Sequence, residues 1–394
     1  MKKLAVFMTA VVVARTASAQ PVSDDVPVEP APRSPEAPVA PRPEAIPFAV
    51  PAAPAPDPAA PPPAFTPWSM ARFALDLELT SHARHASKPG TNLSEVRLDR
   101  GELGARLALG AHGAAELRLE AIRSAVDGGA LGIDGDSMVV RIRYARVMAR
   151  ATLGPVALDG SLGFVPDPWI RALEDGYTLK PLSRTGTERL LGWPPSDLAA
   201  LVRGTVGPAR LSVAIGNGEG QRYPERNTGK TTTAVVEVVG LATKDVRVSF
   251  AAVVRDGSVG VARVRDRRAG GGATVVTPWV RGGAEAVKAW GIGDRGDAEG
   301  IVLGGWAEGR VVTNVFVAAR AASLGFSAGG RLSTFGGALA VQPWCDRTGG
   351  HLRLWLAVDR ITSSGSGMPL PGADAGDATV AMLILSAVSS VVLD

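Results

Sequence analysis

A strict alternation of apolar and polar residues constrains this chain more than any other feature. In the first such segment, Leu75, Leu77 and Leu79 share one parity, while Asp76 and Glu78 share the other. The same alternation recurs in many later segments, such as Leu103 to Leu109 and Leu352 to Val358. Neighbouring residues of a β-strand point to opposite faces, so each segment has one apolar and one charged face. The pattern therefore predicts an all-β fold.

The alternating segments predict sixteen strands. They are placed at 70–80, 102–110, 113–123, 138–150, 155–164, 197–206, 209–217, 231–242, 245–255, 273–281, 284–291, 299–307, 311–320, 331–344, 350–360 and 378–392.

The connections between these strands alternate between long and short. The long ones are 81–101, 125–137, 165–196, 218–230, 256–272, 291–298, 321–330 and 361–377. The short ones include Gly154, Val206-Gly207-Pro208, Thr243-Lys244 and Glu308-Gly309-Arg310. Short periplasmic turns that alternate with long surface loops are typical of outer-membrane barrels. We therefore predict a transmembrane antiparallel up-and-down β-barrel of about 16 strands, closed because an unpaired strand edge is too costly in hydrocarbon.

The charged parity of these strands is expected to face water, because the lumen of a barrel this wide is not filled by wall side chains. The basic candidates for the pore lining are Arg72, Arg106, Arg118, Arg141, Arg143, Arg203, Arg210, Arg247 and Arg353. The acidic candidates are Asp76, Glu78, Glu116, Glu120, Asp159, Glu237 and Asp359. The near balance of the two signs predicts at most a weak preference for anions. The same parity places Val140, Ile142 and Tyr144 on the outer face.

The N-terminal part of the chain differs in composition from the rest. Residues 1–19 have a charged start, an apolar run and the small-residue site Ala17-Ser18-Ala19, which predicts a signal peptide for Sec export. Seventeen of the 30 prolines lie in residues 20–67, and proline blocks both helix and sheet. We expect a Pro-rich disordered periplasmic linker there, followed by an outer-membrane β-barrel over 68–394.

The composition offers little material for catalysis or metal binding. The chain has one cysteine and four histidines, so we predict no enzyme activity, no metal site and no cofactor. His82 and His85 fall in the first long connection, where a surface metal site is the alternative to plain loop histidines. The basic residues are scattered, which argues against nucleic acid as a partner.

Several short motifs resemble the phosphate-selective porin family, among them Gly305-Trp306-Ala307-Glu308 and the three that follow. These three are the strand from Asp197-Leu198 to Gly204, the strand end Asn217-Gly218-Glu219-Gly220, and the strand start His351-Leu352-Arg353-Leu354. The resemblance implies a pore lined by basic residues and a third long loop, here 165–196, that folds inward as a constriction. It would bring Arg171, Lys180, Arg184 and Arg189 within reach of a passing anion. It also implies outer-membrane lipid and the barrel assembly machinery as partners, and leaves a homotrimer open.

The chain departs from that family at two points. Its last segment, 378–392, is apolar on both parities and ends without the usual aromatic residue, so a helix and a barrel strand both remain open there. No cluster of lysines is present, so phosphate selectivity is not inferred.

Together these observations predict a passive porin-like channel for small hydrophilic solutes or ions in the outer membrane of a bacterial cell. Two alternatives remain. One is a non-channel structural or adhesion barrel whose Pro-rich tether contacts peptidoglycan, and the other is an outer-membrane lipid hydrolase.

Overall fold

The computed structural model describes residues 73–88, 91–123, 138–174, 176–182, 184–218, 220, 229–259, 263–292, 295–345, 351–364 and 377–393. The segments predicted as a signal peptide (1–19) and a Pro-rich linker (20–67), and the predicted lining residue Arg72, lie outside these residues. The first five strands are β1 (Phe73–Lys88), β2 (Thr91–Leu109), β3 (Gly113–Arg123), β4 (Met138–Leu153) and β5 (Val156–Pro166). Two short helices follow, α1 (Pro168–Glu174) and α2 (Gly186–Leu190).

The remaining strands run to the C-terminal end of the described chain. They are β6 (Ser196–Val206), β7 (Ala209–Gly216), β8 (Thr231–Ala242), β9 (Arg247–Asp256), β10 (Ser258–Val259), β11 (Val264–Arg265), β12 (Arg267–Val276), β13 (Val280–Ile292), β14 (Arg295–Val312), β15 (Val315–Phe326), β16 (Arg331–Cys345), β17 (His351–Ser364) and β18 (Ala378–Leu393). Neither described helix is long and apolar enough to cross a membrane.

Sixteen of these strands form one closed antiparallel barrel, which confirms the predicted fold. Each barrel strand pairs with its neighbours in chain order, while β10 and β11 form a small separate hairpin. The barrel closes where β1 pairs with β18, from Phe73 opposite Leu393 to Ser87 opposite Thr379. The C-terminal segment is therefore a barrel strand, and the helix considered for it is excluded.

The tight turns at one end of the barrel use residues suited to them. Gly154 and Gly207 have φ values of 57° and 52°, a left-handed conformation that glycine adopts without strain. Thr277 closes another turn, where its Oγ1 accepts a hydrogen bond from the Val280 N–H at 2.8 Å. These turns explain why strands at this end are joined by very few residues.

The prediction of a long loop over 81–101 was wrong. β1 and β2 continue through that range as a paired hairpin, with a register shift between Thr80 and Ser81. His82 and His85 therefore lie on β1, with His82 on the buried inner face. The alternation weakens there because an outward residue beyond the apolar belt need not be apolar, whereas backbone pairing continues.

The turns before β13 and after β14 also lie at other residues than predicted. Glu308-Gly309-Arg310 belongs to β14, whose turn is at Thr313-Asn314. The gap predicted between 281 and 284 belongs to β13. A Cβ on Gly283 would lie 2.5 Å from Cζ2 of Trp306. This glycine therefore serves close packing rather than a turn.

The outer face of the barrel is apolar around its circumference. Residues of the apolar parity, such as Leu103, Val147, Leu162 and Leu385, are 46–61% exposed. A continuous exposed apolar surface of this extent is unfavourable in water and matches the lipid-facing band of a membrane barrel.

The inner face is divided into two unlike halves. On β1 to β4 it carries buried charged side chains, among them Glu78, Arg100, Glu102, Glu120 and Arg143. On β13 to β18 much of it is apolar, with Val287, Val302, Leu324, Trp355 and Ile384 at 0–1% exposure. The inward apolar residues explain why β18 is apolar on both parities.

Candidate functional site

The connection between β5 and β6 folds into the barrel. Its base is closed by a hydrogen bond from the Asp167 N–H to the Pro195 carbonyl oxygen at 2.9 Å. Helix α1 contacts β7, β8, β9 and β12, and α2 contacts β13, β14 and β15. We call residues 167–195 the inner loop. Its position is the one expected of the predicted segment 165–196, and its role as a constriction stays a proposal.

The inner loop is held by apolar packing on one side. Trp169, Leu173 and Leu179 are 0–1% exposed and belong to one core with the inward apolar residues of the wall. The ring of Tyr177 packs edge-on against Trp306, with 5.0 Å between ring centroids and 83° between planes. Each large side chain buried in this way stabilises the docked loop by about 1.5–3 kcal/mol. One side of the lumen is therefore filled by a packed core.

The opposite side of the inner loop faces the charged wall of β1 to β4. Arg143 Nη2 lies 3.7 Å from Glu174 Oε1 at the end of α1. On the wall, Arg143 also donates a hydrogen bond to Glu102, and Arg100 donates one to Glu120. The side chains of Arg143, Glu102 and Glu120 are 6%, 2% and 0% exposed. An ion-paired network thus bridges the loop and the wall at this level.

Glu174 is the loop residue on which this bridge depends. Lys180 Nζ lies 2.7 Å from its Oε1. Burial alone would raise the pKa of this carboxyl, but Lys180 and then Arg143 outweigh burial and lower the pKa from 4.5 to about 2. Glu174 is therefore a carboxylate across the ordinary pH range.

The four predicted constriction residues occupy different environments. Arg171 is 52% exposed and lies 3.7 Å from Glu174 Oε2. Lys180 is tied to Glu174, and Arg184 is buried with its Nη1 3.2 Å from Glu188 Oε1. Arg189 is half-buried, and burial followed by the nearby Arg320 lowers its pKa. Among the four, Arg171 is the one with a largely accessible guanidinium.

The structure places the described members of the predicted lining on the inner face of the barrel. They are Arg106, Arg118, Arg141, Arg143, Arg203, Arg210, Arg247, Arg353, Asp76, Glu78, Glu116, Glu120, Asp159, Glu237 and Asp359.

Those on β1 to β4 lie together. There, Arg118 Nη2 is 3.2 Å from Asp76 Oδ2 and Arg118 Nη1 is 3.3 Å from Glu102 Oε2. Arg210 pairs with Glu237 at 3.2 Å on β7 and β8, and Arg353 pairs with Glu308 at 3.1 Å far around the ring.

Part of this inner face is open to solvent. The side chains of Asp76, Arg118 and Arg150 are 45%, 23% and 30% exposed although they point inward. Asp76 and Arg150 lie in the halves of β1 and β4 nearest the short turns, and Arg118 lies at the middle of β3. The lumen therefore holds water-sized space on the short-turn side of the ion-paired bridge.

The placement of Tyr144 on the outer face was wrong. A register shift lies between Arg118 and Leu119, so that Arg118 pairs with Tyr144 and Leu119 pairs with Ile142. The extra residue reverses the parity of β4, as a β-bulge does. Tyr144 is consequently inward and 8% exposed.

The same bulge hid two inward arginines from the sequence analysis. Arg146 pairs with Glu116 at 2.6 Å, and Arg150 pairs with Asp159 at 2.9 Å. Arg100 and Glu102 were also missed. Arg100 precedes the predicted strand 102–110, and Glu102 is the first residue of that strand, on the same parity as Arg106. Arg146 and Arg150 share the parity of Tyr144, so they point inward once Tyr144 does. A tyrosine among the residues predicted to face lipid was therefore the one sequence signal for these two arginines.

The described residues contain no group of three or more His, Cys, Asp or Glu side chains arranged to hold a metal ion. The chemistry that the described inner face offers is attraction and exclusion of charged solutes.

No family model matches this chain, and no curated protein matches its sequence. Its structure is similar to that of the anion-selective porin from Comamonas acidovorans, with a TM-score of 0.55, 11% identity, and coverage of 80% of this chain and 99% of that one. It is also similar to the outer membrane channel DcaP of Acinetobacter baumannii, with a TM-score of 0.51, 12% identity, and coverage of 83% and 99%. A third similar structure is a trimer form of OmpT, an outer membrane protein of Vibrio cholerae, with a TM-score of 0.51, 10% identity, and coverage of 80% of this chain and 99% of that one.

These similarities show the fold. The chain has the barrel of bacterial outer-membrane porins, which agrees with the localisation predicted from the sequence. They do not single out the phosphate-selective family to which the short motifs pointed.

Proposed function

We propose that this chain is a passive, porin-like channel for small hydrophilic solutes or ions in the bacterial outer membrane, with at most a weak preference for anions. The observation that carries the proposal is the divided lumen. The inner loop packs its apolar side against one wall and presents Glu174 and Lys180 toward the charged wall of β1 to β4. A passage for polar solutes would run beside this bridge, along the part of the charged wall where Asp76, Arg118 and Arg150 are exposed.

The charges that remain accessible in the lumen support the weak anion preference. Arg118, Arg150 and Arg171 are 23–52% exposed, against Asp76 and Asp159 at 45% and 22%. The basic groups are slightly in excess, so the field along the passage would favour anions modestly. The similarity to an anion-selective porin points in the same direction.

Conductance of the mature chain in a planar lipid bilayer tests the proposal. We expect stepwise currents, and in a salt gradient a reversal potential slightly on the anion side. Arg171→Glu should lower the anion-to-cation permeability ratio by about twofold or more, because the reversed charge faces the passage. Lys244→Glu is the matched control, since Lys244 is 76% exposed in a turn outside the lumen, and we expect little change. Strong cation selectivity of the unaltered protein would contradict the proposal.

A barrel that does not conduct is the second candidate, and one observation favours it. The bridging groups Arg143, Glu102 and Glu120 leave almost no exposed surface where the loop meets the wall. Complete absence of current from a correctly folded protein would support this alternative.

A homotrimer is part of the proposal and is supported by the trimer form of the similar OmpT structure. Sedimentation of the detergent-solubilised protein would give its mass, and a monomer throughout would remove the trimer.

A further inference from the structure

Both ends of the inner loop meet two buried arginines of the barrel wall. Asp167 stands at the start of the loop and Trp193 near its end. Arg255 on β9 and Arg268 on β12 approach both of them from the wall. All four residues are 0–8% exposed.

Asp266, between β11 and β12, holds the two arginines in place. Its Oδ1 accepts a hydrogen bond from Arg268 Nε and its Oδ2 accepts one from Arg255 Nε, each at 2.7 Å. One carboxylate thus orients two guanidinium groups, and it is itself 2% exposed. We call Asp266, Arg255 and Arg268 the arginine clamp.

The arginine clamp contacts each end of the loop by a different interaction. At the start, Asp167 Oδ2 lies 3.5 Å from Arg255 Nη1, while its Oδ1 accepts hydrogen bonds from the N–H groups of Trp169 and Ile170 at 2.9 and 3.2 Å. At the end, the Trp193 ring lies under both guanidinium groups, with its centroid 5.4 Å from Arg255 Cζ and 4.8 Å from Arg268 Cζ. Cations at this distance are attracted to the ring face.

The charges of the arginine clamp and of Asp167 balance each other, so removing one charged side chain should destabilise the docked loop. Arg255 and Arg268 are matched by Asp167 and Asp266, and all are shielded from water. Removing the Asp266 charge would take away the carboxylate that both buried guanidinium groups share, which is strongly unfavourable. The arginine clamp lies on the apolar side of the loop, so it acts apart from the Arg143–Glu174 bridge.

We propose that Asp266, Arg255 and Arg268 are positioning residues that clamp both ends of the inner loop and so set the width of the passage. This inference rests on the proposed channel function. None of the three needs to contact the solute, because they act through Asp167 and Trp193.

The test measures the position of the loop separately from the current. Ala172 is replaced by a reporter cysteine, and Cys345 by serine so that the reporter is the one thiol. Ala172 lies on α1, which packs against β7, β8, β9 and β12. In the folded protein Asp266→Asn should raise the rate of maleimide labelling at this cysteine by about tenfold or more, because an uncompensated buried charge favours undocking of the loop. The same variant should change the single-channel conductance.

Asp256→Asn is the matched control. Asp256 pairs with Arg267 across β9 and β12, as the clamp residues do, but the pair is 67% and 45% exposed. Arg268→Gln should act like Asp266→Asn, whereas Arg268→Lys keeps the charge and should restore most of the normal labelling and conductance. These two variants keep the test available if Asp266→Asn does not fold.

Labelling unchanged in both Asp266→Asn and Arg268→Gln would overturn the arginine clamp, as would an equal rise in Asp256→Asn. A third outcome separates the two proposals: labelling rises as expected, but neither the variants nor the unaltered protein carry current. That result would support the arginine clamp and overturn the channel function.

Discussion

At the scale of single residues, parity alone was nearly enough to find the charged lining. Each inward candidate on a regular strand lies where its parity put it, because one face of the barrel must meet lipid. The errors on β4 follow its bulge, which turned Tyr144 inward and brought Arg146 beside Glu116. A bulge changes parity without changing composition, so no count of apolar residues reveals it.

Glu174 gives a prediction for pH. Its pKa is about 2 in the folded protein against an ordinary 4.5. In the folded protein the bridge to Arg143 and Lys180 therefore persists until the pH falls toward 2, while the stability it contributes is complete above pH 4.5 and declines below it. We expect the conductance of the unaltered protein to be constant from pH 8 to about pH 3 and to change in more acidic solution.

Glu174→Gln should remove most of that acid response, while Glu299→Gln, on an exposed pair with Lys288, should leave it intact. An acid response of the same size in Glu174→Gln and in the unaltered protein would exclude Glu174 as its origin.

At the scale of elements, strand existence was predictable and strand ends were not. Sixteen alternating segments became sixteen barrel strands. The hairpin of β1 and β2 extends past the alternation because backbone pairing does not require lipid. The apolar docking of the inner loop was missed because it depends on which inward residues meet Trp169 and Leu173 in three dimensions.

β18 offers a comparison between its two faces. Ile384 points inward and is fully buried in the core, whereas Leu383 points outward and is 47% exposed. Ile384→Ala should lower the free energy of unfolding by about 2–5 kcal/mol because it leaves a cavity, and Leu383→Ala should lower it by less. Denaturant unfolding in lipid vesicles measures both changes, and equal losses would mean that the inner core is not packed as described.

At the scale of the whole molecule, the outward apolar band predicts how the protein behaves in solution. The folded mature chain should need detergent and should migrate on gels differently before and after heating, because a closed barrel resists detergent unfolding until heated. Deleting residues 20–67 should preserve this behaviour, since the barrel strands begin at Phe73. A compact particle that is freely soluble without detergent would contradict the membrane assignment.

The pairing of β1 with β18 also determines when folding can finish. Phe73 and its partner Leu393 are far apart in the sequence, so β1 finds this neighbour only after all the barrel strands between them have been made. Contacts between such distant parts of a sequence form slowly, because a large loss of chain entropy precedes them. Because the first and last barrel strands each keep an unpaired edge until this contact forms, we expect the unfinished barrel to be prone to aggregation.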